Sequence, residues 1–175
     1  MAQARKQEHV DAAQGGELLV AGPHVCQGYF RNPEAQSRAK VQDEDGTVWH
    51  RTGDICRLDG QGRLWILGRV HNAIRRDGRL LFPVTAEMEM KRLPFVARAA
   101  YVGVPHERLG EAAWAVFTRG AESDVADAEA RVRRTLDQAR VAVDRVLEID
   151  GIPMDPRHHS KVDVDALRSR LEQVS

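Results

Sequence analysis

Apolar residues in this chain fall into two patterns: short uninterrupted runs flanked by glycine or proline, and longer stretches in which they recur every three or four positions. The first pattern predicts buried strands and the second predicts amphipathic helices. ELLVAG, from Glu17 to Gly22, reads as a strand that Pro23 closes. NPEAQSRAK, from Asn32 to Lys40, pairs a capping asparagine with proline at the first helical position, which predicts one or two helical turns. Between Val48 and Leu67, VWHRTG, ICRLD and RLWILG read as pieces of a β-meander, with Asp59-Gly60-Gln61-Gly62 as a tight turn. RLWILG does not alternate cleanly, the pattern of a strand covered on both faces inside a larger assembly.

The character changes after Gly68-Arg69, where a domain boundary is expected. A second hairpin pairs IRR with RLLF across Asp77-Gly78, and Pro83 opens a helix running to about Arg92. ARAAYVGVP and EAAWAVFTR follow as strands, joined by a loop containing Gly110. Val125, Ala128, Val132, Leu136 and Ala139 share one face of a helix between Asp124 and Arg140. RVLEID supplies a third strand, ending at Gly151. After an irregular loop, PMDPRHHSK, a last helix is marked by Val164, Leu167, Leu171 and Val174, with Asp163 as its cap. The expected fold class is α+β: a polar leader over 1–16, a β-rich segment over 17–68, and a small domain over 69–175. That small domain should hold a β-hairpin and a three-stranded sheet flanked by helices.

Composition narrows the function more than the fold. With 42% apolar and 30% charged residues among 175, the chain is that of a globular protein. Acidic and basic residues balance at 26 each, leaving no net field to draw in a nucleic acid. The opening residues carry no apolar run suited to a signal peptide or membrane span, so a cytoplasmic location is expected. Cys26 and Cys56 are far apart, and His158 and His159 are adjacent rather than four apart, so neither a disulfide nor a metal site is expected.

The most informative string is RTGD, Arg51 to Asp54, preceded by Trp49. Taken alone, Thr-Gly-Asp is a turn. The order GELLVAGPHVCQGYF, NPE, W-H-RTGD, LDGQGRLWILGR, a glycine-centred hairpin, VGVP and a late lysine resembles the AMP-forming acyl-adenylating ligases. These are the acyl-CoA synthetases and the adenylation domains of peptide synthetases, and the resemblance covers nearly the whole chain. It implies that residues 17–68 are a barrel-like remnant of the large adenylation domain and that 69–175 form the mobile C-terminal lid.

The resemblance also implies roles. Asp54 would accept hydrogen bonds from the ribose hydroxyls of AMP, for which a fixed carboxylate is suited. Arg69 would lie beside the same nucleotide, its planar fork of donors matching ribose and phosphate oxygens; a plain surface ion pair is the other reading of that residue. Lys161 would be the catalytic lysine that neutralises charge developing on the α-phosphate and acyl oxygen. Gly78 would approach a pantetheine thiol, although Asp77-Gly78 is equally explained as a turn. His71 stands at the hinge where the family usually has Asp or Lys, and an imidazole there would make rotation depend on pH.

Two further features qualify the resemblance. Ser160 replaces the usual glycine before the lysine, and the run from Pro156 to Lys161 keeps a β-lactone-forming subgroup open. The family's upstream phosphate-cradling loop and its aromatic-glycine-x-Thr-Glu motif do not occur in this sequence. The implied cofactors are therefore a partial ATP/AMP site and CoA or phosphopantetheine, with magnesium held only by a missing domain. The implied partner is an N-terminal adenylation domain or a same-family ligase, with a carrier protein or a second copy as further candidates. The alternative is a non-catalytic module that binds a carrier protein, CoA or a ligase.

Overall fold

The computed structural model of the protein describes residues 15–120, 125–156 and 161–174. They divide into two compact units, the first ending at His71 and the second beginning at Asn72. The fold class is α+β.

The first unit is built around one long strand. β1 (Gly16–Val20), β2 (Lys40–Gln42) and β4 (Leu64–Arg69) each run antiparallel to β3 (Val48–Leu58). VWHRTG and ICRLD, expected as separate pieces, are therefore a single eleven-residue strand. Two irregularities explain why it read as broken: Gly53 sits at φ +73°, and the pairing with β4 shifts register between Ile55 and Cys56. β2 was too short to leave a periodic signal. α1 (Pro33–Ala39) starts where expected, with the Asn32 side chain accepting from the Ala35 amide at 3.0 Å. The Asp59–Gly62 turn forms, with the Asp59 carboxylate accepting from the amides of Gln61 and Arg63.

The second unit has three layers. β7 (Val96–His106) and β8 (Gly110–Arg119) form a long antiparallel pair, and β9 (Arg145–Glu148) joins β8 in parallel through α3 (Ala128–Gln138). α2 (Pro83–Lys91) and α3 cover one face, packing Met90, Val132 and Leu136 against Ala99, Tyr101, Ala113 and Phe117. α4 (Val164–Glu172) covers the other, packing Leu167 and Leu171 against Ala100, Val102, Val104 and Trp114. Burial on both faces is why AAYVGV and AAWAVF read as uninterrupted apolar runs.

The hairpin β5 (Ile74–Arg76) and β6 (Arg79–Leu81) was expected to stand beside a three-stranded sheet. It is instead part of that sheet, which has five strands, because Arg76 pairs with Gly110 at the start of β8. α3 begins at Ala128, later than its apolar pattern implied, with Asp127 at φ 55° immediately before it.

The two units differ sharply in core. Among the described residues, the first buries only Val25, Ile55 and Cys56 of its apolar side chains, and the rest of the buried apolar set lies in the second. Leu58, Leu64 and Ile66 of the β3–β4 hairpin remain 44%, 50% and 59% exposed. Leu64, Trp65 and Ile66 of RLWILG are thus open to solvent, although the pattern is that of a covered strand; Leu67 is half-buried and Gly68 buried.

Candidate functional site

Each residue of RTGD has a separate task. Arg51 reaches across to β1, where its Nε and Nη2 both donate to Glu17 Oε2, at 3.0 and 2.5 Å, and that carboxylate raises the guanidinium pKa. The Thr52 hydroxyl donates to the Leu18 carbonyl at 2.9 Å and accepts from the Asp54 amide at 3.1 Å. Gly53 takes the left-handed conformation that lets the chain turn within the strand, a φ that side chains disfavour. Asp54 then emerges opposite Arg69 of β4, its Cα partner in the ladder. Arg69 Nε lies 2.9 Å from Asp54 Oδ1, and its Nη1 donates to the Thr52 carbonyl at 3.2 Å. A carboxylate and a guanidinium, side chains 28% and 50% exposed, are thereby fixed on one rung.

Beside this pair, Cys56 is buried, and burial first, then the charge of Asp54, pushes its thiol pKa up, which makes it a poor nucleophile. Cys26 is exposed. Among the described residues no group of three or more His, Cys, Asp or Glu is placed to hold a metal ion. His158, His159 and Ser160 lie outside the described residues.

The remaining candidates are placed separately. His71, the last residue of the first unit, is exposed at the centre of a 3-10 turn, Val70–Asn72. Gly78 is exposed at the tip of the β5–β6 hairpin, at φ 71° after Asp77 at φ 48°; a Cβ at Gly78 would meet nothing within 4 Å. This is the double positive-φ turn that Asp-Gly favours. Lys161 is exposed just before α4, where its carbonyl accepts from the Asp155 amide at 2.8 Å and its neighbour Val162 bridges to Met154. Asp163 caps α4 by accepting from the Ala166 amide at 3.0 Å. Asp54 and Arg69 therefore share one site in the first unit, while Gly78 and Lys161 occupy two loops of the second. The sequence reading missed Glu17 and Thr52, which hold the RTGD turn; their partners lie 34 residues away.

No family model matches the chain. It is 38% identical over 104 residues to the acyl-CoA ligase SID4 of Ajellomyces capsulatus, a match covering 59% of this chain and 18% of that protein. It is 31% identical over 172 residues to the 2-hydroxy-7-methoxy-5-methyl-1-naphthoate–CoA ligase of Streptomyces carzinostaticus, covering 95% of this chain and 29% of the relative. The crystal structure of ATP-bound MatB from Rhodopseudomonas palustris superposes over 94% of this chain and 32% of its own, with a TM-score of 0.74 and 29% identity. The chain belongs to the acyl-adenylating ligase family. It corresponds to a C-terminal portion of such a ligase and spans less than a third of the length of these relatives. No helix among the described residues of this ligase-family chain is long and apolar enough to cross a membrane.

Proposed function

We propose that this chain supplies the ribose-contacting carboxylate, the hinge and the late catalytic lysine of an ATP-dependent carboxylate-activating ligase, working with an N-terminal adenylation portion. The observation that carries this reading is the Asp54–Arg69 rung: two groups suited to ribose and phosphate oxygens, fixed by Thr52, Gly53 and the β3–β4 ladder. Such pre-positioning is what a nucleotide contact needs, since the groups pay no reorganisation when the ligand arrives.

In this mechanism a carboxylate oxygen attacks the α-phosphorus of ATP, the bond to the β-phosphate bridging oxygen breaks, and pyrophosphate leaves. Asp54 accepts from the ribose hydroxyls and Arg69 lies against the nucleotide. The Lys161 ammonium meets the negative charge that builds on the α-phosphate and acyl oxygens. His71 stands at the turn about which the lid rotates, and Gly78 offers a side-chain-free approach for the thiol of CoA or a phosphopantetheine arm. Phosphate cradling and magnesium fall to the N-terminal portion. The scarcity of buried apolar side chains in the first unit, with Leu58, Leu64 and Ile66 exposed, supports the need for that portion.

The test is pyrophosphate release. The N-terminal portion of the naphthoate–CoA ligase, supplied with ATP, magnesium and its acid, should release pyrophosphate on addition of this chain. No release on mixing contradicts the reading. Capture of a phosphopantetheine-bearing carrier protein without turnover would favour a binding module instead.

A further inference from the structure

The β5–β6 hairpin that carries Gly78 is joined to the rest of its sheet by very little backbone. One ladder pair, Arg76 with Gly110, connects it to the β7–β8 end, flanked by a bond from the Asp77 amide to the Leu109 carbonyl at 2.8 Å. Ile74 is its one fully buried side chain; Arg75, Asp77, Gly78, Arg79 and Leu80 are exposed. Arg76 and Arg79 are direct cross-strand partners, a like-charge pairing that is unfavourable by itself.

Two carboxylates from elsewhere in the unit hold the hairpin, one of them neutralising Arg76. Asp144, just before β9, accepts from Arg76 Nε at 2.8 Å and Nη2 at 2.7 Å, and its Oδ2 also accepts from the Ala113 amide at 2.7 Å. Its own backbone amide donates to the Ala113 carbonyl at 2.8 Å, so the carboxylate stands on a fixed point of the sheet. Glu111 of β8 accepts from the Arg75 amide of β5 through Oε2 at 2.5 Å, and its Oε1 lies 3.5 Å from Arg168 Nη2 of α4. Arg168 Nε also donates to the Gly103 carbonyl at 3.1 Å. The Glu111 carboxylate lies directly over Gly103 of β7, where an added Cβ would meet its Oε1 at 2.6 Å.

We propose that Asp144 and Glu111 are positioning residues that latch the β5–β6 hairpin onto the sheet of the second unit and so fix the approach of Gly78 to an acceptor thiol. Glu111 also ties the hairpin to α4, the helix that follows Lys161. The bearing on thiol chemistry rests on the function proposed above; the latch itself does not. A hairpin with one ladder pair and two charged anchors opens locally, at lower free energy than the β7–β8 pair.

Native-state amide hydrogen exchange on the full chain tests this without nucleotide, acid or partner. Its failure removes the latch and leaves the proposed function standing, whereas absent pyrophosphate release removes that function and leaves the latch. Asp144→Asn keeps an oxygen for the Ala113 amide but loses the charge on Arg76, and Arg76→Gln breaks the same pair from the other side. Each is expected to speed exchange of the amides in 74–81 by about 10- to 100-fold while those of 99–104 stay within about threefold. Glu111→Gln is expected to speed exchange in 74–81 and in 164–172 together. Hairpin exchange within about threefold of the parent in both Asp144→Asn and Arg76→Gln, or acceleration shared equally by 99–104, overturns the latch. Unchanged exchange in Glu111→Gln removes Glu111 from it.

Discussion

Asp54 and Arg69 form a partly exposed ion pair, and pairs of this kind contribute about 1 kcal/mol or less to stability. Asp54→Asn is therefore expected to shift the thermal midpoint, followed by circular dichroism, by no more than about 5 °C. In the complemented ligase the proposed role of Asp54 predicts that the same change lowers pyrophosphate release at least about tenfold, since the ribose would lose a charged acceptor. A large loss of stability with unchanged release would make the pair structural. Glu87 of α2 presents a different case. Burial pushes its carboxyl pKa up, against opposing pulls from the Tyr101 amide at 3.3 Å and from Lys91. The folded state then holds that proton more tightly than the unfolded chain, so this group's contribution falls as pH rises from the ordinary glutamate range through its raised value. Glu87→Gln is expected to match the parent in urea midpoint near pH 4 and to exceed it at pH 8. At this scale RTGD was legible as a string because its four residues are contiguous. Glu17, Leu18 and Thr52 were not legible as its supports, because only the β1–β3 pairing brings them together.

The elements of the second unit were largely legible, since strands buried on both faces and helices with one apolar face each leave a clear pattern. Their assembly was less so. The hairpin's membership of the five-stranded sheet rests on a single ladder pair, and the continuity of β3 is hidden by Gly53 and a register shift. VGVP was legible as the end of a strand, but the reason for its glycine lies eight residues on. Gly103 leaves room for the Glu111 carboxylate and for Ile74, whose Cγ2 an added Cβ would meet at 3.0 Å. Gly103→Ala is expected to cost about 1–3 kcal/mol in urea unfolding, the range for overfilling a packed site. Equal stability of this variant would mean that the carboxylate moves aside freely, and the joint between β5, β7 and α4 would lose its rigidity.

At the scale of the whole molecule, a well-packed second unit is joined to a first unit that buries little among the described residues. The sequence carried a sign of this in RLWILG, whose pattern calls for a cover that the described residues of the first unit do not provide. Leu64→Lys combined with Ile66→Lys is expected to lower binding of a hydrophobic dye at least about twofold, leave melting of the second unit unchanged and weaken complementation. Dye binding that does not change would place the exposed apolar surface elsewhere. The proposal that this chain brings catalytic groups to carboxylate activation is tested most directly by ATP–pyrophosphate exchange with the N-terminal portion of the naphthoate–CoA ligase, comparing the parent chain with Lys161→Ala. The account predicts exchange that depends on adding the chain and falls by about 100-fold or more in the variant, the scale of loss when a charge-stabilising group is removed. Exchange that proceeds equally with Lys161→Ala, or that never depends on the chain, would contradict it.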